Sequence, residues 1–158
     1  MRKKGRLFII SGPSGTGKST LIEAVLKRRP GLRYSISHTT RPPRKNEENG
    51  VDYYFISPQA FKERMDAGAF AEWAEVHGHL YGTLAANIDR AMANGEDIVL
   101  DIDVVGAGKL LDKFPDAVSI FVAPPTMDVL KRRLTERNTD SPDVVNRRLK
   151  NAEREIAH

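Results

Sequence analysis

The pattern of apolar and polar positions at the start of the chain predicts a strand, a glycine-rich loop and a helix. Residues 6–10 (RLFII) form a short apolar run that ends at a Ser-Gly-Pro turn, which is typical of a buried strand. Beyond the glycines, apolar residues at positions 21, 22, 25 and 26 have helical spacing, and Arg-Pro-Gly at 29–31 ends that helix. The first strand therefore leads through a tight loop directly into the first helix.

The middle of the chain, residues 34–84, has strand-like spacing. Short apolar pieces at 34–37 and 51–56 are separated by a polar turn at 45–50 (KNEENG), and one helix is predicted from 58 to about 67. We therefore expect a small β-rich insert that holds one helix.

The second half of the chain returns to alternating strands and helices. Apolar runs at 98–102 and 118–122 predict two further core strands, each preceded by a helix-like segment. A helical hairpin follows, at about 127–137 and 142–157, with Ser141 as the N-cap of its second helix. Strands that alternate with helices favour a parallel sheet covered by helices on both faces. The predicted fold class is therefore α/β.

Length and composition limit what kind of protein this is. A chain of 158 residues with 40% hydrophobic and 29% charged residues has the composition of one folded globular core. It has no apolar stretch of membrane-spanning length and no recognisable export signal, and it has no cysteine for a disulfide or a thiolate metal site. These features fit a cytoplasmic protein that does not bind a membrane. Its net charge of +4 is spread among acidic residues, which favours a small polyanionic ligand over nucleic acid.

The glycine-rich loop carries the strongest chemical signal. Residues 12–19 (GPSGTGKS) satisfy the pattern G-x-x-x-x-G-K-[ST] between a predicted strand and a predicted helix. Glycines allow successive backbone amides to face phosphate oxygens, Lys18 neutralises charge on the β and γ phosphates, and Ser19 is a ligand for Mg²⁺. The expected ATP-binding residues are Gly12, Pro13, Ser14, Gly15, Thr16, Gly17, Lys18, Ser19 and Thr20.

Two carboxylates, Asp101 and Asp103, lie at the end of the apolar run 98–102. The sheet of a P-loop protein delivers a carboxylate towards the metal at this point, so Asp101 is predicted to join Ser19 at Mg²⁺. An aspartate at a strand end is about as often a solvated turn residue. The assignment therefore depends on the residues around it.

Further motifs follow in a specific order. They are SHTTRPPR at 37–44, GVDY at 50–53, EWA at 72–74, YGT at 81–83 and LDID at 100–103. Together with the phosphate loop, these motifs resemble those of the guanylate kinase family over nearly the whole chain. The resemblance implies transfer of the γ-phosphoryl group of ATP to GMP. It also implies a P-loop NTPase fold, with a parallel sheet flanked by helices, a small β-rich insert that binds the nucleoside monophosphate, and a helical lid.

The resemblance assigns GMP-binding roles to residues of the insert and to Asp103, which follows the apolar run 98–102. The phosphate of GMP is held in the family by the residues that match Arg41, Arg44, Tyr53 and Tyr81. Guanidinium groups and phenol hydroxyls suit a phosphate dianion. The guanine base is recognised by the residues that match Ser37, Glu72, Thr83 and Asp103. Guanine offers N–H donors at N1 and N2 to such acceptors, whereas adenine would leave them unpaired. Thr83 stands where the family usually has serine and keeps the hydroxyl.

Three arginines near the end of the chain resemble the lid arginines that close over the phosphates of ATP. Arg133 and Arg137 are four residues apart and share one helix face, and Arg148 lies on the following helix. With Lys18 and Arg41 they form the expected catalytic set. Ordinary exposed positions are expected for the neighbouring Arg132, Arg147 and Arg154.

The attacking group in this reaction needs no general base. The second pKa of a phosphate monoester is about 6, so the acceptor oxygen of GMP is already ionised near neutral pH. The four histidines form no nucleophilic or metal-binding arrangement, and we interpret them as polar loop or helix residues.

The resemblance also divides the chain into three parts. The P-loop core is expected at 1–33, 91–126 and 150–158, the GMP-binding insert at 34–90, and the lid at 127–149. Members of the family usually continue for a further strand and helix beyond the position of His158, so fewer contacts near the adenine of ATP are expected here. Whether copies of the chain associate as a homo-oligomer is left open by the sequence.

Two alternatives remain at this stage. One is a guanylate-kinase-like interaction module, which keeps the fold, binds proteins and performs no chemistry. The other is a related P-loop kinase with a different phosphate acceptor. The intact loop at 12–19 argues against the first alternative, and Glu72 with Asp103 argues against the second.

Overall fold

The structure, a computed structural model, describes residues 4–136 and 140–157. Two residues discussed above, Arg137 and His158, lie outside the described residues. In chain order the elements are β1 (Leu7–Ser11), α1 (Lys18–Arg28), β2 (Leu32–Tyr34), β3 (His38–Thr39), β4 (Tyr54–Phe55), α2 (Pro58–Asp66), β5 (Phe70–Val76), β6 (His79–Leu84), α3 (Ala85–Ala93), β7 (Asp97–Asp101), α4 (Val104–Lys113), β8 (Val118–Phe121), α5 (Met127–Glu136) and α6 (Pro142–Ala157).

The core is a parallel sheet with the strand order β2-β7-β1-β8. Ile9 of β1 lies opposite Leu100 of β7, and both side chains are fully buried. Helix α1 covers one face of the sheet through Ile22, while α3 and α4 cover the other face through Ile88 and Leu110. The parallel sheet flanked by helices confirms the fold predicted from the sequence.

The edge strand β8 is less buried than expected. The sequence predicts a core strand at 118–122, but Val118, Ile120 and Phe121 of β8 are 40–42% exposed. The physical reason is position, since β8 pairs with β1 along one side only. Within residues 4–136 and 140–157, no helix is both long and apolar enough to cross a membrane.

The insert forms its own sheet in the order β4-β3-β6-β5 and carries the predicted helix as α2. Ser57 caps this helix, because its hydroxyl accepts a hydrogen bond from the amide of Ala60. Phe61 of α2 is fully buried and stacks on Phe70 with ring centroids 4.4 Å apart. This aromatic pair fixes α2 against the hairpin formed by β5 and β6.

The interpretation of His38 and His79 as polar loop or helix residues is wrong, because both lie in strands, and His79 is the first residue of β6. His38 lies in β3, is only 5% exposed, and stacks on Tyr54 at a centroid distance of 4.8 Å. Aromatic packing therefore accounts for this residue, and burial lowers the pKa of its imidazole.

Replacing the buried aromatic anchor of the insert tests this packing. We expect Phe61→Ala to lower the free energy of unfolding by about 3–5 kcal/mol, because it removes apolar contacts and leaves a cavity. Val51→Ala in the same insert is the control, since Val51 is 56% exposed, and it should change stability by less than about 0.5 kcal/mol. Urea unfolding measures both variants, and equal midpoints would contradict the assignment of Phe61 to the core.

Candidate functional site

The phosphate loop connects β1 to α1 in a shape that glycine makes possible. Gly12 has φ 136° and Gly17, which precedes α1, has φ 97°. Both values lie in the region that favours glycine. A Cβ on Gly12 would also lie 2.3 Å from the carbonyl oxygen of Val122. The loop therefore approaches the neighbouring strand end too closely for any side chain at position 12.

The charged and hydroxyl side chains of the loop face the carboxyl end of β7. The ammonium of Lys18 donates to the carbonyl oxygens of Gly12 at 2.7 Å and Pro13 at 3.2 Å. The hydroxyl of Ser19 lies 3.5 Å from Oδ2 of Asp101. Burial raises the pKa of Asp101, while Lys18 and Ser19 act in the opposite direction. The structure therefore brings together Ser19 and Asp101, the two residues that the sequence predicts for the metal.

Arg41 is held in a partly buried polar cluster. Its Nη1 and Nη2 atoms donate to the two carboxylate oxygens of Glu47 at 2.9 and 2.8 Å, and its Nε donates to the hydroxyl of Tyr81 at 3.2 Å. The guanidinium also lies 5.5 Å from the centre of the Tyr53 ring. These contacts fix the direction of the guanidinium plane.

Glu47 is a functional candidate that the sequence reasoning missed. It accepts a hydrogen bond from the backbone amide of Arg44 at 2.8 Å and pairs with Arg41 through both oxygens. Burial opposes its charge, but the hydrogen bonds from the two arginines outweigh burial and lower the pKa of the carboxyl. The available signal is the pair Glu47-Glu48, which follows Arg41 and Arg44 closely within the predicted polar turn at 45–50.

The two carboxylates predicted to bind a base are held in different ways. Glu72 of β5 is 5% exposed, and its Oε1 accepts a hydrogen bond from the hydroxyl of the fully buried Thr83 at 2.7 Å. Asp103 is the N-cap of α4, where its Oδ1 accepts from the amides of Val105 at 2.8 Å and Gly106 at 3.0 Å. Burial, with a contribution from Asp103, raises the pKa of the Glu72 carboxyl to about 7.

One cavity of about 540 Å³ joins the phosphate loop to the insert. The predicted site residues that line it are Gly12, Pro13, Ser14, Gly15, Gly17, Lys18, Ser19, Thr20, Ser37, Arg41, Arg44, Tyr53, Glu72, Tyr81, Asp101, Asp103 and Arg148. Two predicted residues, Thr16 and Thr83, do not line the cavity but form hydrogen bonds with residues that do. The hydroxyl of Thr16 donates to the carbonyl of Pro13 at 2.9 Å, and that of Thr83 donates to Glu72.

The predicted lid arginines reach the phosphate loop from two sides. Arg133 of α5 does not line the cavity, and its Nη1 donates to the carbonyl of Thr16 at 3.1 Å. Arg148 of α6 lies 3.5 Å from the hydroxyl of Ser14 and 3.2 Å from a carboxylate oxygen of Asp140. Arg147, for which an ordinary exposed position was expected, also lines the cavity.

Comparison with known proteins points in one direction. The family model described as guanylate kinase matches residues 4–158. A guanylate kinase of Lawsonia intracellularis is 52% identical over 155 residues, which cover 98% of this chain and 73% of that protein. The guanylate kinase of Symbiobacterium thermophilum is 49% identical over 151 residues, which cover 96% of this chain and 72% of the relative.

A solved structure gives the same result. The crystal structure of guanylate kinase from Anaplasma phagocytophilum superimposes on this chain with a TM-score of 0.78 and 33% identity. The match covers 100% of this chain and 73% of that one. The phosphate loop, the two carboxylates Glu72 and Asp103 and the arginine cluster share one cavity, and together with these matches they lead to one conclusion. The chain belongs to the guanylate kinase family of ATP:GMP phosphotransferases.

Proposed function

We propose that this chain transfers the γ-phosphoryl group of ATP to GMP across the 540 Å³ cavity, giving ADP and GDP. The observation that carries the proposal is that Lys18 and the cluster around Arg41 line the same cavity. Two polyanions bound at these positions would meet end to end, with donors fixed around each.

ATP is proposed to bind with its phosphates against the amides of the loop at 12–19. Lys18 already bonds to two loop carbonyls, so its ammonium is held beside the position where phosphate oxygens would lie. Arg148 and Arg133 contact the same loop from the lid, where their charges can stabilise the transferred group. Arg137, predicted for the same role, lies outside the described residues.

The oxygen atoms of Ser19 and Asp101 suit Mg²⁺. They are hard donors 3.5 Å apart, and Mg²⁺ in kinases is commonly held by one or two such groups, with water and phosphates completing its shell. No cluster of three or more His, Cys, Asp or Glu side chains forms a metal site in the part of the chain that the structure describes. We therefore propose a cation shared between the protein and ATP, which would neutralise charge on the phosphates.

GMP is proposed to bind between the arginine cluster and the base-binding carboxylates. Arg41, Arg44, Tyr53 and Tyr81 would hold its phosphate, and Glu72, Asp103 and Ser37 would accept or donate hydrogen bonds at the guanine ring, with Thr83 orienting Glu72. The acceptor oxygen is ionised near neutral pH, so the protein only has to position it.

The organisation and setting of the chain complete the proposal. We propose the division into a core at 1–33, 91–126 and 150–158 that carries the phosphate loop, a GMP-binding insert at 34–90 and a lid at 127–149, with one change. Tyr34 of β2 and the whole of α3 belong to the core, because β2 pairs with β7 and Ile88 of α3 packs on the core sheet. The composition supports a cytoplasmic enzyme that acts on small substrates and not on nucleic acid or membranes.

A coupled assay of ADP production tests the reaction itself. With ATP and Mg²⁺, we expect turnover with GMP and none with AMP, CMP or UMP. Lys18→Ala should lower kcat by roughly 10²–10³-fold, because a charge that stabilises the transferred phosphoryl group is lost. Lys27→Ala, an exposed position on the same helix, should leave kcat unchanged. Equal rates with AMP would contradict the assignment of the acceptor.

The arginine cluster is tested by Arg41→Lys. Lysine keeps the charge but cannot pair with two oxygens at once. We expect the KM for GMP to rise about 10–100-fold, the range for one or two charge-assisted hydrogen bonds, while the KM for ATP changes little. Arg90→Lys is the control, because Arg90 is exposed on α3 and does not line the cavity. A parallel rise in both KM values would show that Arg41 does not act on GMP alone.

The pH dependence of GMP binding tests the role of Glu72. Burial raises the pKa of Glu72 to about 7, so the carboxyl is half protonated near neutral pH. Guanine donors need the ionised form, whose fraction increases about tenfold between pH 6 and pH 8. The KM for GMP should therefore fall as the pH rises through 7 and level off above it.

Glu72→Gln separates this effect from ionisation of the substrate. The variant should retain only the smaller dependence caused by the phosphate of GMP, whose second pKa is about 6. Identical pH profiles for the parent chain and the variant would exclude Glu72 as the titrating group.

A further inference from the structure

Helix α4 contains a glycine that lies against both base-binding carboxylates. A Cβ built on Gly106 would lie 2.5 Å from Oε2 of Glu72 and 3.2 Å from Oδ2 of Asp103. Carbon and oxygen atoms that are not bonded do not approach to 2.5 Å in a relaxed structure. A side chain at position 106 is therefore incompatible with the present place of the Glu72 carboxylate.

The carboxylates of Glu72 and Asp103 each have one oxygen that accepts hydrogen bonds from the protein and a second oxygen that faces Gly106. Oε1 of Glu72 accepts from Thr83, and Oδ1 of Asp103 accepts from the first amides of α4. Oε2 of Glu72 and Oδ2 of Asp103 are the oxygens on the side that faces Gly106. These two oxygens lie 2.5 and 3.2 Å from the position of a Cβ added at Gly106.

The backbone of α4 does not explain the glycine. Gly106 is not one of the described residues with positive φ, so any amino acid could adopt its helical backbone conformation. Glycine is also a poor helix former. Gly108, two positions further along the same helix, has nothing within 4 Å of an added Cβ. The requirement at position 106 therefore comes from the carboxylates beside it.

Glu72 cannot easily move away from an added side chain. Glu72 belongs to β5 and is only 5% exposed, and the hydroxyl of the fully buried Thr83 donates to its Oε1 at 2.7 Å. Moving the carboxylate would break this bond to a fully buried hydroxyl, which would lose its acceptor.

We propose that Gly106 is a specificity-determining residue: the missing side chain lets Glu72 and Asp103 present Oε2 and Oδ2 side by side to the N1 and N2 donors of guanine. The inference rests on the proposed function, because it assumes that these carboxylates bind the base. A Cβ at this position would displace Glu72 or fill the space that the base edge needs. The phosphate loop and the Arg41 cluster would be untouched.

Equilibrium binding of two nucleotides tests the inference. GMP and inosine monophosphate share the ribose phosphate and the N1 donor, but inosine monophosphate lacks the 2-amino group. The ratio of their affinities therefore measures the hydrogen bonds at N2. Calorimetric titration of the parent chain, Gly106→Ala and Gly108→Ala with both nucleotides gives this ratio without depending on turnover.

We expect Gly106→Ala to weaken GMP by about tenfold or more, the effect of losing a hydrogen bond to a charged group. Inosine monophosphate should weaken less, so the affinity ratio falls towards one. Gly108→Ala should keep the parent ratio and melt at a temperature about 2–4 °C higher, because alanine is the better helix former. A Gly106→Ala chain with the parent ratio would overturn the inference alone. A parent chain that binds GMP no better than AMP would overturn the proposed function and the inference with it.

A second measurement applies even if Gly106→Ala folds poorly. The clash with Glu72 predicts that Gly106→Ala lowers the Tm of the parent chain but lowers it much less in a Glu72→Ala background, because the opposing atoms are gone. Equal losses of Tm in the two backgrounds would mean that Glu72 is not what excludes a side chain at position 106, and the inference would fail.

Discussion

Two strongly anionic substrates repel each other, and the site can bring them together only by surrounding each with fixed donors. In the proposed binding mode, main-chain amides and Lys18 serve this purpose on the loop side, and the Arg41 cluster serves it on the insert side. Both sets are held by bonds within the protein, since the ammonium of Lys18 donates to a loop carbonyl and the guanidinium of Arg41 donates to Glu47. The scaffold therefore meets the cost of ordering these charges during folding, and little reorganisation remains for catalysis.

A second repulsion occurs elsewhere in the cavity, and here it is between two negative charges of the protein itself. Glu72 and Asp103 are both acidic and close enough that Asp103 contributes to the raised pKa of Glu72. Asp103 is stabilised by hydrogen bonds from the first amides of α4, because it is the N-cap of that helix. Thr83 stabilises Glu72 from behind. A base that offers two adjacent donors would relieve the repulsion, whereas one that offers an acceptor would add to it.

Much of this arrangement could be predicted from the sequence because it depends on local patterns. The phosphate loop is a contiguous motif between a strand and a helix, and the alternation that follows indicates a parallel sheet. Glu47, His38 and Gly106 were missed for a different reason. Glu47 contacts Arg41 and Arg44, which are near in the chain, but only through a loop conformation that no periodic pattern predicts. His38 packs on Tyr54 and Gly106 lies against Glu72, and both of these partners are distant in the chain. Likewise, periodicity predicts that 118–122 is a strand but not that it lies at the edge of the sheet.

The pairing of Arg41 with Glu47 bears on how the reaction cycle ends. In the proposed binding mode, the departure of GDP does not leave the guanidinium as an isolated, partly buried cation, because Glu47 remains paired with it. The electrostatic penalty for emptying the site is correspondingly small. The internal carboxylate therefore serves twice, because it orients the guanidinium towards the cavity and neutralises it between one turnover and the next.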